Sequence, residues 1–525
     1  MFVRLANVAV CAGLLFGVDI ASIGAALHGM TKEMGFDTSS MEAVVAGAKG
    51  GAVFGSLLGG ALIMSRGRRT SIAVSALPFL IGPLLIFTGR GFWQLLLGRL
   101  LMGFGFGLAS VATPNYLSEV VVPEKRGVVE AMYELGIATG MLLSAIANLS
   151  IEALGEEGIC AFDLGCWRFQ AGLVPLCFAL PLTLAVMLVP ESPRWLLQAK
   201  GSSSEGLFCS LQEIGRLGRH GAAERLKTIE AKSAELMLSD FEETNDDLIR
   251  LWDLKHKEAG MPLFQLGDES NGDLDESEDS EPPRVRTVYL LKQTLTDAGA
   301  ILCGRGPPGT GTGLALAMCA AVLNQACAST SILIYAQNLL QSVGVTEKDD
   351  QDAQTLITFG AKLLGVLLGL FVVDRVSRRL LLAVGGLACA AFMGLLMVGA
   401  MLKSASLLLL GMGCFVMVFY CTWGVGYWAV VVEVTACGGA RYSSAAQAMS
   451  TATLFGAGWL TSMTFVSVMS LGPMGLLVYM GVGVLMFCYA YCWLPETSGH
   501  SLEECAEDVN EEASASDDES DEATS

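Results

Sequence analysis

Apolar and polar positions along this chain segregate on a long period. Apolar stretches of roughly 20 residues recur, which as helix is enough to cross about 30 Å of hydrocarbon. Twelve can be read, over 4–27, 42–63, 71–89, 93–117, 127–149, 168–190, 313–341, 354–373, 380–402, 405–432, 444–468 and 475–494. They predict an all-α membrane protein. The longest gap, 198–310, divides the stretches six and six. The predicted organisation is a six-helix bundle over 1–197, a cytoplasmic interdomain loop over 198–310, a second six-helix bundle over 311–494 and an acidic cytoplasmic tail over 495–525. Within the loop, 222–258 has the pattern of an amphipathic helix, which an acidic stretch and Pro282-Pro283 then end. The stretch 4–27 is too long for the apolar core of a cleavable signal.

Loop charge orients these spans. Arg66, Arg68 and Arg69 follow the second, Lys125 and Arg126 the fourth, Arg194 the sixth, and Arg375, Arg378 and Arg379 the eighth. All fall on one side, which is expected to be cytoplasmic, and both termini are then cytoplasmic as well. The opposite loops are acidic, with Glu152, Glu156, Glu157 and Asp163 in one and Glu347, Asp349, Asp350 and Asp352 in another. The glycosylation triplet Asn148-Leu149-Ser150 is outside but too close to the bilayer to be used. A plasma membrane and an internal organelle membrane fit this pattern equally.

Composition changes the picture in two places. A length of 525 residues would suggest about three to four soluble domains. The chain is, however, 53% apolar and 16% charged, with 61 glycines, and small residues let helices approach closely in lipid. The net charge of −20 is local: 12 acids lie in 495–525 and 8 in 267–281, with no Lys or Arg in either. Such segments bury no apolar area and stay solvated, so they imply neither a cationic partner nor nucleic acid. Ser516 and Ser520 sit among these acids and are candidate phosphorylation sites, the alternative being an unmodified tail. Most of the 15 cysteines lie in apolar runs and suggest no metal framework. Cys160 and Cys166 share a short polar loop and are placed to pair if it faces an oxidising compartment.

The two halves echo each other. RGRR at 66–69 follows the second span and DRVSRR at 374–379 the eighth. Glu119 with Arg126 after the fourth span matches Glu433 with Arg441 after the tenth. A parallel repeat of this kind is the signature of a carrier that rocks around a midplane site.

Several spaced motifs make the pattern specific. After span six stands Pro190-Glu191-Ser192-Pro193-Arg194-Trp195-Leu196-Leu197. After span twelve stands Pro495-Glu496-Thr497-Ser498-Gly499 with Leu502-Glu503-Glu504. Span four carries Gly98-Arg99, Gly103, Gly105, Gly107, Ser110, Pro114, Tyr116, Glu119, Arg126 and Gly127, with one proline displaced to Pro123. In these motifs the chain resembles the sugar porters of the major facilitator superfamily over both halves and all twelve spans. The resemblance implies twelve transmembrane helices in two pseudo-symmetric six-helix bundles. It also implies a sugar-like solute and a proton as transported partners, no cofactor and no catalytic residues. A monomer is assumed.

The resemblance assigns a cytoplasmic gate to Arg68, Arg69, Glu119, Arg126, Asp374, Arg378, Arg379 and Glu433, where weak ion pairs are broken and remade. Basic inner loops also fix topology, and both readings hold together. Met64 stands where the family usually has Asp, which loosens the first-half latch. Asp19 lies inside span one, where a carboxylate is costly and marks a functional position. In proton-coupled members its counterpart faces an arginine on span four, here Arg99. Its protonation would then release the pair and couple proton entry to the transition. A static ion pair is the alternative.

The substrate cavity departs most from the family. Trp428 matches the stacking tryptophan of span ten. Asn324 and Gln325 stand where the family has a Gln-Gln pair, and Thr330 replaces an Asn. Glu134 takes the place of the span-five Gln, Lys362 that of a span-eight Asn, and Lys49 is added on span two. In one reading Glu134 and Lys362 (or Lys49) neutralise each other around a hexose. In the other they bind an acidic sugar or another charged polar solute. A solute sensor of transporter fold is a further alternative, weighed against by the retention of both gate halves. The P-loop-like run 306–313 has Thr312 where the phosphate-binding lysine belongs and no preceding strand, so it reads as a hinge into span seven. No nucleophile–base pair suggests an enzyme.

Overall fold

The computed structural model describes residues 2–120, 126–156, 165–179, 191–192, 195–196, 296–297, 299–301, 305–307, 309–345, 348–436 and 439–497. The expected helix over 222–258, the acidic stretch 267–281 and the tail from 498 lie outside these residues, as do Cys160 and the side chains of Glu119 and Arg126. Contacts divide the chain into Met1–Ser192 with Leu290–Ser525 as one unit, and Pro193–Tyr289 as a second. The first unit carries the membrane helices.

The first half comprises α1 (Phe2–Met34), α2 (Thr38–Arg66), α3 (Arg68–Phe87), α4 (Phe92–Val120), α5 (Arg126–Glu156) and α6, which opens at Cys166 and turns wide through a π-helical segment at Phe169–Leu173. The second comprises α7 (Thr310–Ala326), α8 (Ser329–Ile334), α9 (Ala336–Ser342), α10 (Lys348–Val372), α11 (Arg378–Met401), α12 (Ala405–Phe419), α13 (Val425–Val434), α14 (Gly439–Met469) and α15 (Leu476–Cys492). No strand occurs among the described residues. Among the described residues, eleven helical segments are long and apolar enough to cross a membrane; the sixth expected span is described only as far as Ala179.

Local chemistry explains the ends of these helices. Asp37 caps α2 by accepting from the Ser40 backbone. Hydrogen bonds from Ser40, side chain and backbone, hold the Asp37 carboxyl below the usual carboxylate range. Ser377 and Ser404 cap α11 and α12 in the same way. Cys166 is disulfide-bonded; every other described cysteine is free, so its partner lies outside the described residues.

The outer surface is apolar because the surrounding solvent is lipid. Leu77, Ile81 and Leu84 on α3 and Leu380, Val384 and Leu387 on α11 are exposed at helical spacing. Inside, two helix crossings of the first half run on glycine. A Cβ at Gly13 or Gly17 of α1 would meet the carbonyls of Tyr133 or Ile137, and one at Gly136 or Gly140 of α5 would meet those of Val10 or Leu14. Gly51 and Gly55 of α2 face Leu100 and Phe104 of α4, while Gly103 and Gly107 of α4 face Ala48 and Ala52. Each crossing is therefore a pair of glycines four apart meeting another such pair, the close approach that association in lipid favours. Gly103→Ala is expected to destabilise the protein by about 1–3 kcal/mol or more through overpacking. Thermal unfolding in detergent tests this against Gly413→Ala, where a Cβ meets nothing within 4 Å.

Two predicted spans of the second half are interrupted. The stretch 313–341 is not one helix: α7 stops at Ala326, Ala328 takes a left-handed conformation at φ 60°, and α8 begins at Ser329. The side-chain amide of Asn324 is held by the Trp423 carbonyl at 3.4 Å, and the Cys327 thiol donates back to the Asn324 carbonyl. The stretch 405–432 contains a π-helical turn at Tyr420–Gly424 between α12 and α13. Broken backbone at this depth is tolerated where it lines a cavity, and both breaks do so. The glycine run at 306–313 leads into α7, with Gly309 left-handed just before Thr310.

Candidate functional site

Both breaks open onto one cavity. It is walled by Phe16 and Ile20 of α1, Lys49 of α2, and Glu134 and Ile137 of α5 from the first half. The second half supplies Asn324, Gln325, Ser329 and Thr330 around the α7–α8 break, Lys362 of α10, Phe419, Tyr420, Gly424, Tyr427 and Trp428 around the π-helical turn, and Leu454 and Phe455 of α14. Its volume is about 40 Å³, room for roughly three waters. A solute larger than a few waters therefore enters only when the walls separate.

Glu134 and Lys362 meet across this space. Their charged ends are 3.0 Å apart and both side chains are buried. The Lys362 ammonium also lies 3.8 Å from the centre of the Tyr420 ring, which the π-helical turn presents. Trp428 stands edge-on to Tyr133 of α5, with centroids 5.1 Å apart, and to its neighbour Tyr427 at 5.2 Å. Tyr133 is anchored in turn by a 2.8 Å hydrogen bond between its hydroxyl and that of Ser110. Gln325 donates to Asn324 at 3.1 Å, so the amides form a linked pair. Lys49 reaches from α2 to α14, where its ammonium donates to the Gly458 carbonyl at 3.2 Å and the Ser462 hydroxyl at 2.9 Å. All six cavity residues expected from the sequence, Glu134, Asn324, Gln325, Thr330, Lys362 and Trp428, come together here.

Asp19 and Arg99 lie behind the cavity wall, on the α1–α4 contact. They form an ion pair with both side chains buried. Arg99 donates further to the carbonyls of Val44 at 3.2 Å and Val45 at 3.4 Å on α2. Phe16 and Ile20 flank Asp19 on α1 and face the cavity. Phe16 also touches Phe106 of α4 and Phe455 of α14, with centroids 4.9 and 5.9 Å apart. The carboxylate thus sits on the helix that touches the cavity, the arginine helix and the second half.

The charges of the expected gate form one cluster in each half. In the second, Arg378 approaches Asp374 at 3.3 Å and Glu433 at 3.6 Å, and Thr497 donates to Glu433 at 2.6 Å. In the first, Arg68 is fully buried and donates to the Ile63 carbonyl at 3.0 Å. Glu191 accepts from the Arg69 backbone at 2.9 Å, and Glu496 accepts from the Arg378 backbone at 2.9 Å. These bonds run within a half. Glu191 and Glu496 are functional-looking groups that the sequence reading did not single out. Their signal was present, since each is the glutamate of a Pro-Glu-Ser/Thr motif, and its role is to cap the helix after a basic loop. Tyr420 and Ser462 had no comparable signal.

Two six-helix halves around a buried polar cavity define a polytopic membrane protein of the major facilitator fold. Residues 5–243 and 309–509 match the family described as sugar (and other) transporters, and the chain belongs to that family. It is 26% identical over 504 residues to a probable metabolite transport protein, CsbC, of Bacillus subtilis, covering 94% of this chain and 91% of that one. It is 26% identical over 502 residues to the galactose-proton symporter of Escherichia coli, with 94% and 91% covered. Among solved structures it is similar to the proton:xylose symporter XylE bound to 6-bromo-6-deoxy-D-glucose. The TM-score there is 0.71 at 22% identity, covering 96% of this chain and 98% of that one.

Proposed function

We propose that the protein carries a sugar across its membrane by alternating access, in symport with a proton. The observation that carries this reading is a buried cavity walled by both halves, with a carboxylate–arginine pair sealed behind the first-half wall. Relatives named as galactose-proton and arabinose-proton symporters support the substrate class and the coupling. In this reading Trp428 offers the sugar ring an aromatic face, and Asn324, Gln325 and Thr330 replace its hydration with fixed donors and acceptors. No covalent chemistry is required, so the protein is a carrier and not an enzyme.

Coupling follows from the position of α1. A proton on Asp19 removes the charge that holds Arg99, so α1 becomes free to shift against α4. Phe16 and Ile20 move with α1, and they line the cavity beside Asp19. Proton state and cavity shape then change together, as coupling between two sites demands. The basic loops favour a cytoplasmic position for both termini, and the gate residues would stabilise one end state by holding each half's loops in place.

The test is uptake of labelled D-xylose or D-glucose into proteoliposomes, with and without an inside-alkaline gradient. Accumulation above the outside concentration is expected only with the gradient. Binding without flux would replace this reading by that of a sensor.

A further inference from the structure

The charged side chains of the cavity do not cancel. Glu134 and Lys362 satisfy each other at 3.0 Å. Lys49 is left over. Its two partners, the Gly458 carbonyl and the Ser462 hydroxyl, are neutral, and no carboxylate among the described residues forms an ion pair with it. Yet Lys49 is only 8% exposed. An ammonium has three donors, and two are used here. The remaining one belongs to a group on the cavity wall.

The position is built for this side chain. A Cβ at Gly458 would fall 2.6 Å from Gln325 Oε1 and 3.2 Å from Lys49 Cδ. Glycine at 458 thus admits both the lysine stem and the amide beside it. A buried cation with only neutral partners is costly, and an anion brought to it recovers much of that cost. A charge-assisted bond is also roughly twice as strong as a neutral one.

We propose that the cavity takes a sugar bearing a single carboxylate, a hexuronate, with its carboxylate on Lys49 and its hydroxyls on Asn324, Gln325 and Thr330. The inference rests on the sugar-carrier reading above. Charge selects the monoanion. One carboxylate neutralises the one surplus cation, whereas a phosphate dianion leaves a buried negative charge unmatched. A neutral hexose leaves Lys49 as it stands.

The experiment is counterflow in proteoliposomes of the full chain, with labelled D-glucose and labelled D-glucuronate measured side by side and each competed by the other and by glucose 6-phosphate. The expected result is that glucuronate binds about tenfold or more tightly than glucose, one charge-assisted bond's difference, while the phosphate competes weakly. Lys49→Gln is expected to bring the ratio of the two affinities toward one. Ser462→Asp supplies an internal counter-charge and is expected to do the same, and Lys49→Arg keeps the preference. Glucose exchange without competition by glucuronate overturns the proposal and leaves the carrier reading intact. So does a glucuronate preference that survives both Lys49→Gln and Ser462→Asp. Stronger competition by the phosphate overturns the monoanion assignment. Exchange of neither sugar overturns the carrier reading and the proposal with it.

Discussion

Asp19→Asn is expected to abolish accumulation driven by a pH gradient while sugar exchange across the membrane persists. Asparagine matches the carboxyl in size and, like the protonated acid, carries no charge to hold Arg99, so α1 stays free to shift against α4 and exchange continues. What it loses is the ability to take up and release a proton. In a one-to-one symporter, a gradient of one pH unit supplies about 1.4 kcal/mol, which sustains about tenfold accumulation. In Asp19→Asn the ratio of inside to outside sugar should fall to about one at any gradient, because a neutral amide links no proton to the cycle. Labelled-sugar uptake at several imposed gradients, with counterflow as the control, measures both quantities. Gradient-driven accumulation at the original ratio in this variant would show that the proton enters elsewhere, and the buried pair of Asp19 and Arg99 would then be structural.

The second large effect is expected at the pair across the cavity. Glu134→Gln leaves the buried Lys362 ammonium facing neutral groups, and Lys362→Met leaves the Glu134 carboxylate alone. Removing one member of a buried pair typically costs about 3–5 kcal/mol, because the partner keeps its desolvation penalty without its attraction. Replacing both removes the penalty with the attraction. Each single variant should therefore unfold at clearly lower temperature in detergent, and the double variant should recover most of the loss. The cycle isolates the coupling between the two side chains. Because the pair joins α5 to α10, its loss should also alter how readily the two halves separate, read as changed exchange rates in the double variant. A loss in the double variant equal to the sum of the two single losses would mean that the 3.0 Å contact contributes little.

Much of the candidate site could be read from the chain because its residues belong to local motifs. Asp19 is conspicuous as an acid inside an apolar span. Asn324, Gln325, Thr330 and Trp428 occupy fixed offsets in recognisable segments, and all face the cavity. Glu134 and Lys362 were visible as charges where the family has amides. Their pairing was not visible, since Lys49 was an equal candidate as the neutralising base. The helix breaks at Cys327–Ala328 and Tyr420–Gly424 were missed for a related reason. Neither segment carries a proline, and each keeps a high mean hydropathy, which is the same whether or not its backbone hydrogen bonds are continuous. The glycine crossings were legible as abundant small residues but not as matched pairs.

The sequence by itself determined that this protein lives in a membrane, how many helices its apolar runs can form and which charges lie near the midplane. Those properties follow from length, hydropathy and loop charge, which act over one helix at a time. Only the tertiary structure decided which charges meet. Lys49 and Gly458 are 409 positions apart, and their contact depends on how α2 lies against α14. Glu134 finds Lys362 because α5 and α10 bring them within 3.0 Å, which leaves Lys49 without a carboxylate. Coulomb attraction in a low-dielectric interior falls off with distance and not with sequence separation. The surplus cation at the cavity is therefore a property of the folded bundle alone.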